Sequence, residues 1–312
     1  MLVLVAPGQG AQAPGFLTPW LDLPGVRDRM EAYSAASGLD LIRYGTEADA
    51  DEIRDTAVAQ PLLVAAGLVS AYALFGDDLS AVGAVAGHSV GEYTAAALAG
   101  VLTDEEAMKL VTIRGQAMAE AAAVTETGMA AVLGGEPADV VAHLEKLGMT
   151  PANMNGAGQI VAAGTMEQLA ALTEDKPEKA RVIALKVAGA FHTEHMAPAV
   201  DTLRSAVAGL VPSDPQLPFV SNRDGQVFEG TAGGLEIVDR LVGQVANPVR
   251  WDLCMETFTE RGITGMVEAA PGGTLTGLAR RALPGVTAVP LKKPDDIEKA
   301  KALIAETEES AS

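Results

Sequence analysis

The sequence predicts a tightly layered α/β protein, and three observations carry the prediction. Residues 81–86, small and apolar, read as a buried strand that opens into Gly87-His88-Ser89-Val90-Gly91 and then into helix-forming residues 92–99, closed by Gly100. The composition is 48% apolar, rich in Ala, Gly and Val, with only 4% aromatic residues, which suits close approach of helices to a sheet. Residues 126–188 read as β-α-β-β-α-β, the order of a ferredoxin-like split unit. At 312 residues the chain can bury a full core as one large domain or as one domain with an insert.

Bulk properties exclude several classes of function. The net charge of −19 argues against a nucleic-acid partner, because phosphate binding needs a basic face, and against an anionic membrane surface. A lone cysteine, Cys254, excludes an intrachain disulfide framework and a cysteine-rich zinc site. No P-loop, internal repeat or metal-ligand cluster is present, so no metal or cofactor is expected. Residues 2–6 follow no basic region and are too short for a signal peptide or a span, which predicts a buried first strand in a cytoplasmic protein.

Taken in order, that first strand ends at Pro7-Gly8-Gln9-Gly10-Ala11-Gln12. Two glycines around Gln9, just past a strand's carboxyl end, suit either a plain βα turn or a loop offering backbone N–H groups to a ligand. Residues 26–37 read as an amphipathic helix, and residues 48–77 as two helices, the second, about 59–75, nearly all apolar and therefore buried. The turn at 87–91 has the Gly-x-Ser-x-Gly pattern between strand and helix. That context favours a nucleophile elbow, which holds the Ser89 hydroxyl clear of the sheet at a helix N-terminus, over an ordinary tight turn.

Thr103-Asp104-Glu105-Glu106 is a capping box that starts the next helix. Its apolar face carries Ala107, Leu110, Val111 and Met118, and Arg114 falls on the same face. A buried guanidinium needs an acceptor, supplied either by an internal acid or by a substrate carboxylate, which its planar fork of donors fits. In the insert, strands are expected at 129–133, 150–155, 159–163 and 181–187, with helices at 137–147 and 165–173. The expected organisation is a main body of 1–125 and 189–312 interrupted by a subdomain of 126–188.

Four histidines are present. His143 sits beside Glu145 and Lys146 on a helix and is expected to be solvated. The ring of His88, inside the elbow, need not face the site. His192 lies where the insert returns to the body, and such seams form cleft walls, so it is the better base for Ser89; His195 is the rival. Helical pattern then runs to about Leu210. A strand is expected over 219–222, helices over 234–244, 252–261 and 274–282, and a strand over 265–268. Residues 293–312 are charged and are expected to form a surface helix fraying into a disordered tail.

Six segments in series resemble the signatures of malonyl-CoA:acyl-carrier-protein transacylases, the acyltransferase family of fatty acid and polyketide synthesis. They are Pro7-Gly8-Gln9-Gly10, Gly87-His88-Ser89-Val90-Gly91-Glu92, Arg114-Gly115-Gln116-Ala117-Met118, Gly189-Ala190-Phe191-His192, Asn247-Pro248-Val249-Arg250-Trp251 and Glu268-Ala269-Ala270-Pro271-Gly272. The resemblance covers nearly the whole chain and implies an α/β-hydrolase-like core with a mostly parallel sheet, interrupted by a ferredoxin-like subdomain. Without flanking domains the chain looks like the freestanding enzyme of a dissociated pathway. Ala11, where serine is common, and Ala269-Ala270, where Val-Gly is commoner, are departures that do not touch the chemistry.

The resemblance also implies roles. Ser89 is the acylated serine and His192 its base; the N–H groups of Val90 and Gln9 form the oxyanion hole; Arg114 clamps the free carboxylate of malonyl. The backbone carbonyl of Gln244 orients the histidine in place of a triad acid, Asn222 is a polar residue near the arginine, and Phe191 crowds an α-methyl substituent. The implied partners are malonyl-CoA and phosphopantetheinylated acyl carrier protein. Since carrier proteins are acidic, a local basic patch must face them, with Arg181, Lys186, Arg250, Arg280 and Arg281 as candidates. Two other readings share the elbow: a serine esterase or thioesterase, which has no need of Arg114, and a scaffold with an inactive elbow.

Overall fold

The computed structural model describes residues 1–231 and 233–309. The first half of the body runs β1 (Leu2–Ala6), α1 (Val26–Ser37), α2 (Leu41–Thr46), α3 (Thr56–Phe75), β2 (Val82–Gly87), α4 (Gly91–Leu98) and α5 (Asp104–Ala122). Then follow β3 (Thr127–Gly134), α6 (Pro137–Lys146), β4 (Thr150–Gly156), β5 (Gln159–Thr165), α7 (Met166–Glu174) and β6 (Ala180–Ala184). The chain returns through α8 (Ala197–Ala206), β7 (Phe219–Val220), β8 (Val227–Phe228), α9 (Gly234–Gln244), β9 (Val249–Arg250), α10 (Trp251–Glu260), β10 (Gly265–Glu268), α11 (Thr274–Ala282), β11 (Thr287–Pro290) and α12 (Asp296–Glu309).

Two sheets organise these elements. The larger has the order β11-β10-β1-β2-β7-β8, parallel throughout except for the β7–β8 pair. β1 and β2 lie at its centre, so the loops after their carboxyl ends, Pro7–Ala11 and the elbow, emerge side by side where open parallel sheets bind ligands. The second sheet has the order β6-β3-β5-β4-β9. Its first four strands are antiparallel neighbours, as a ferredoxin-like βαββαβ unit requires.

β9 joins the two halves. It belongs to the Asn247-Pro248-Val249-Arg250-Trp251 segment, pairs in parallel with β4, and its Arg250 N–H donates to the Asn222 carbonyl at 2.7 Å. Trp251 follows directly, fully buried, with its ring 5.8 Å from both His88 and Phe258. A segment of the main body thus completes the insert's sheet, a pairing that local sequence pattern does not encode.

α3 is the one helix among the described residues with the length and apolarity of a membrane span, but it is packed inside the core. It lies against α4 and α5, and its residues 59–71 are all buried. The capping box of α5 forms in full: Thr103 Oγ1 accepts from Glu106 N, and the Glu106 carboxylate accepts from Thr103 N at 2.8 Å. This fixes where α5 starts, and its helical period then turns Arg114 inward, where it is 0% exposed.

Several boundaries differ from expectation for tertiary reasons. The first of the two helices expected within 48–77 is a single 3₁₀ turn, Glu52–Arg54, and α3 starts three residues before the apolar run, at Thr56, because Asp55 caps it by accepting from Ala57 N. The last strand of the insert stops at Ala184, and the chain leaves the sheet so that Leu185 and Val187 can line the central cavity. α8 ends at Ala206, short of Leu210. α12 packs against β10, β11 and α3 with Ile297, Ala300 and Leu303 buried; its apolar positions are too widely spaced among charges to read as a docked face. The expected fraying of residues 310–312 lies outside the described residues. His143 Nε2 donates to the backbone carbonyl of Asp175, just past the end of α7, at 2.7 Å and so ties the insert's two helices together instead of being solvated.

Candidate active site

Close packing makes the elbow. A Cβ at Gly87 would lie 1.9 Å from the carbonyl carbon of Gly91, and one at Gly91 would lie 2.3 Å from the Ala6 carbonyl oxygen. Between them Ser89 takes φ +52°, a conformation that L-residues adopt at a cost of about 1–3 kcal/mol. Asn222 holds this backbone: its Oδ1 accepts from Ser89 N at 2.7 Å, and its Nδ2 donates to the Gly87 carbonyl at 2.6 Å. One amide side chain therefore bridges both arms of the turn.

The hydroxyl raised by the turn meets two groups from distant elements. His192 Nε2 lies 2.8 Å from Ser89 Oγ, and Arg114 Nη2 donates to the same oxygen at 3.2 Å. The other imidazole nitrogen, Nδ1, lies 2.9 Å from the Gln244 backbone carbonyl. A carbonyl only accepts, so Nδ1 carries the hydrogen and Nε2 is free to accept from the serine. His192 sits at φ +62°, and its own N–H donates to the Val245 carbonyl at 2.9 Å, which aims the ring from the start of α8's approach.

Burial, and then the charge of Arg114, pull the basicity of His192 down to about 3. Arg114 itself is lowered by burial to about 10 and stays charged at neutral pH. Among the described residues no carboxylate touches its guanidinium. Nη1 donates to Gln60 Oε1 at 2.6 Å and Nη2 to Gln244 Oε1 at 2.7 Å, while Nε has no partner. The internal acid that a buried arginine would ordinarily use is replaced by amide oxygens, which satisfy donors without cancelling charge.

A cavity of about 240 Å³ opens over these groups. The body contributes Gly8, Gln9, His88, Ser89 and Val90 at the sheet ends, Gln60, Arg114 and Met118 from α3 and α5, and Phe191 and His192. The insert's sheet closes it with Met129, Ala131, Asn153, Asn155, Gln159 and Val161, and α11 supplies Thr274, Leu275 and Leu278. Among the described residues no protein acceptor takes the N–H of Gln9 or of Val90, two neighbouring donors at the cavity floor. The Glu268 carboxylate places α11 by accepting from Gly273, Leu275 and Thr276 N–H at 2.8–2.9 Å, which gives the Glu268-Ala269-Ala270-Pro271-Gly272 segment its purpose.

The structure thus brings Ser89, His192, Arg114, Gln9, Val90 and Phe191 around one cavity. Asn222 and Gln244 stand behind its wall, Asn222 beneath the elbow, where its side-chain polar atoms hold the turn. His195 lies in a 3₁₀ turn, Glu194–Met196, outside the cavity.

Three contributors escaped sequence reading. His88 does line the cavity, where its Nε2 lies 2.8 Å from Asn155 Oδ1 across the two sheets. Gln60 was visible only as a lone amide in an apolar helix. Glu92, which follows the elbow, is 1% exposed; burial pushes its carboxyl up to about 7 against hydrogen bonds from Asn222 N and Gln244 Nε2.

Residues 3–306 match the family model described as the acyl transferase domain. The chain is 50% identical over 304 residues to a malonyl CoA-acyl carrier protein transacylase of Mycobacterium tuberculosis strain H37Rv, covering 96% of this chain and 98% of that protein. It superposes with a TM-score of 0.89 on the crystal structure of MCAT from Mycobacterium tuberculosis, covering 96% and 99% of the two chains at 50% identity. A further structural relative, at 30% identity and a TM-score of 0.86 over 96% and 98% of the chains, is a malonyl-transacylase in complex with its type II PKS acyl-carrier protein.

Proposed function

The chain belongs to the acyl transferase domain family, and from that premise we propose that Ser89, His192 and Arg114 carry its reaction. It is an acyltransferase that moves the malonyl group of malonyl-CoA to the phosphopantetheine thiol of acyl carrier protein, a step of fatty acid and polyketide synthesis. The observation that carries the residue assignment is the meeting at one hydroxyl oxygen of an imidazole at 2.8 Å and a buried guanidinium at 3.2 Å.

In the first half-reaction His192 Nε2 takes the Ser89 proton as Oγ attacks the thioester carbonyl. The tetrahedral oxyanion accepts from the N–H groups of Val90 and Gln9. The C–S bond breaks, the thiolate takes the proton from His192, and a malonyl-serine ester remains. In the second half the carrier's thiol gives its proton to His192 and attacks the ester, and Ser89 recovers its hydroxyl. Arg114 binds the second carboxylate throughout. A diacid held at Ser89 by one carboxyl reaches the guanidinium with the other across a single methylene.

This reading includes a cytoplasmic location, a body of 1–125 and 189–312, and a subdomain of 126–188. Its test is mass spectrometry of the peptide carrying Ser89 after exposure to malonyl-, methylmalonyl- and acetyl-CoA, alongside His192→Ala. The expected result is a malonyl ester on the wild type that persists until a thiol acceptor is added, with little methylmalonyl because of Phe191. Rapid loss of the ester to water would make the protein a hydrolase, and a wild type with no adduct would leave Ser89 without the role.

A further inference from the structure

Behind the cavity a chain of amides and charges connects the elbow to the guanidinium. Arg114 has donors only, so it must face the oxygen of the Gln244 side chain, as it does at 2.7 Å. The Gln244 Nε2 then points the other way. It donates to the Ser89 carbonyl at 3.0 Å and to Glu92 Oε2. The other carboxylate oxygen, Oε1, accepts from Asn222 N at 2.7 Å, and Asn222 in turn bridges the elbow.

Both oxygens of Glu92 therefore face donors, and only an acceptor-only group satisfies the pair. A glutamine at this position would bring one amide N–H₂ against a donor. If it faced Gln244, the Gln244 amide would have to turn over and present N–H₂ to Arg114. If it faced Asn222, a buried backbone N–H would lose its acceptor, at the desolvation cost of an unmade bond. Gln244 is 5% exposed and Glu92 1% exposed, and the small pocket they share, about 10 Å³, has room for at most one water to relieve either mismatch.

We propose that Glu92 is a positioning residue for substrate selection: its acceptor-only carboxylate locks the Gln244 amide so that its oxygen holds the Arg114 guanidinium toward the acyl group. The role acts through Gln244 and bears on the carboxylate of malonyl, so it rests on the malonyl-transfer reading above. It leaves His192 aside, because that ring is held by the Gln244 main chain and not by its amide.

The test compares rates of Ser89 acylation by malonyl-CoA and by acetyl-CoA in the wild type and in Glu92→Gln, read by mass spectrometry in the full-length protein. The expected result is a fall of about tenfold in malonyl acylation at low malonyl-CoA, with acetyl acylation changed by less than about threefold, so that discrimination collapses. Equal loss of both acylations would mean that Glu92 only supports the elbow, and would overturn the proposal. Gln244→Leu keeps the main-chain carbonyl and deletes the amide, so it answers the same question should Glu92→Gln fail to fold; retained malonyl preference there also overturns it. A wild type that takes no malonyl at Ser89 would overturn the transfer reading itself, and this role with it.

Discussion

In the proposed reaction, Arg114 is the residue at which substrate choice and catalysis meet. Its charge is buried and meets two amide oxygens and the Ser89 hydroxyl, so a carboxylate is the partner it lacks. Arg114→Ala is expected to reduce acylation by malonyl-CoA on the order of a hundredfold while acylation by acetyl-CoA holds or rises, as measured by competition between the two thioesters. Unchanged malonyl preference would remove the clamp. The same charge depresses His192, with burial as the larger cause. A base acts when neutral, and a lowered value keeps it neutral to lower pH. The acidic limb of kcat/KM for malonyl-CoA, which reports the free enzyme, should therefore lie well below the 6.5 of ordinary histidine. A bound malonyl carboxylate neutralises Arg114 and relieves part of the depression, so the limb in kcat should lie at higher pH than the limb in kcat/KM. Coincident limbs in the two profiles would deny the coupling.

At the scale of elements, the elbow joins β2 to α4 in a strained turn, and the strain is held from β7's end by Asn222. Asn222→Leu leaves the Ser89 N–H and the Gly87 carbonyl without their partner. It is expected to cost about 2–4 kcal/mol in a denaturant titration and to slow acylation by both malonyl- and acetyl-CoA alike. That equal loss distinguishes a support of the turn from a contact to the acyl group. α11 is placed by the same logic on the other side of the cavity, where the buried Glu268 carboxylate gathers three N–H groups of its first turn and so sets Leu275 and Leu278 in the wall. The sequence patterns of β2, α4 and α5 were legible because turn chemistry, caps and period are local. β9 was not, since a strand of two residues is defined by the partner it pairs with.

The whole molecule presents two sheets that face each other over one cavity, tied by β9 on β4 and by His88 with Asn155. With a net charge of −19, long-range attraction of an acidic carrier protein is lacking, and docking must use local positive charge. Arg250 is paired with Asp252 at 2.8 Å, which leaves it less to offer. Lys186 is exposed between Leu185 and Val187, which both line the cavity, so it stands at the rim. Lys186→Glu is expected to slow reaction of the preformed malonyl-enzyme with acyl carrier protein about tenfold and to leave its reaction with a small neutral thiol unchanged. A stopped-flow comparison of the two acceptors checks this; equal rates with the carrier would move the docking surface elsewhere.

The sequence by itself determined the elbow, the inward face of α5 and the ferredoxin-like order of the insert, because glycine sterics, helix caps and hydrophobic period act within a few residues. It also marked Ser89, His192 and Arg114 as candidates, through six segments that are far apart along the chain. Only the tertiary structure decided what those segments do for one another. It set Asn222 under the turn, drew Gln60, Gln244 and Glu92 into one hydrogen-bonded chain through Arg114, and seated α12 on the core. Such partnerships join residues from 54 to 152 positions apart, and which donor meets which acceptor is settled by packing, not by local pattern.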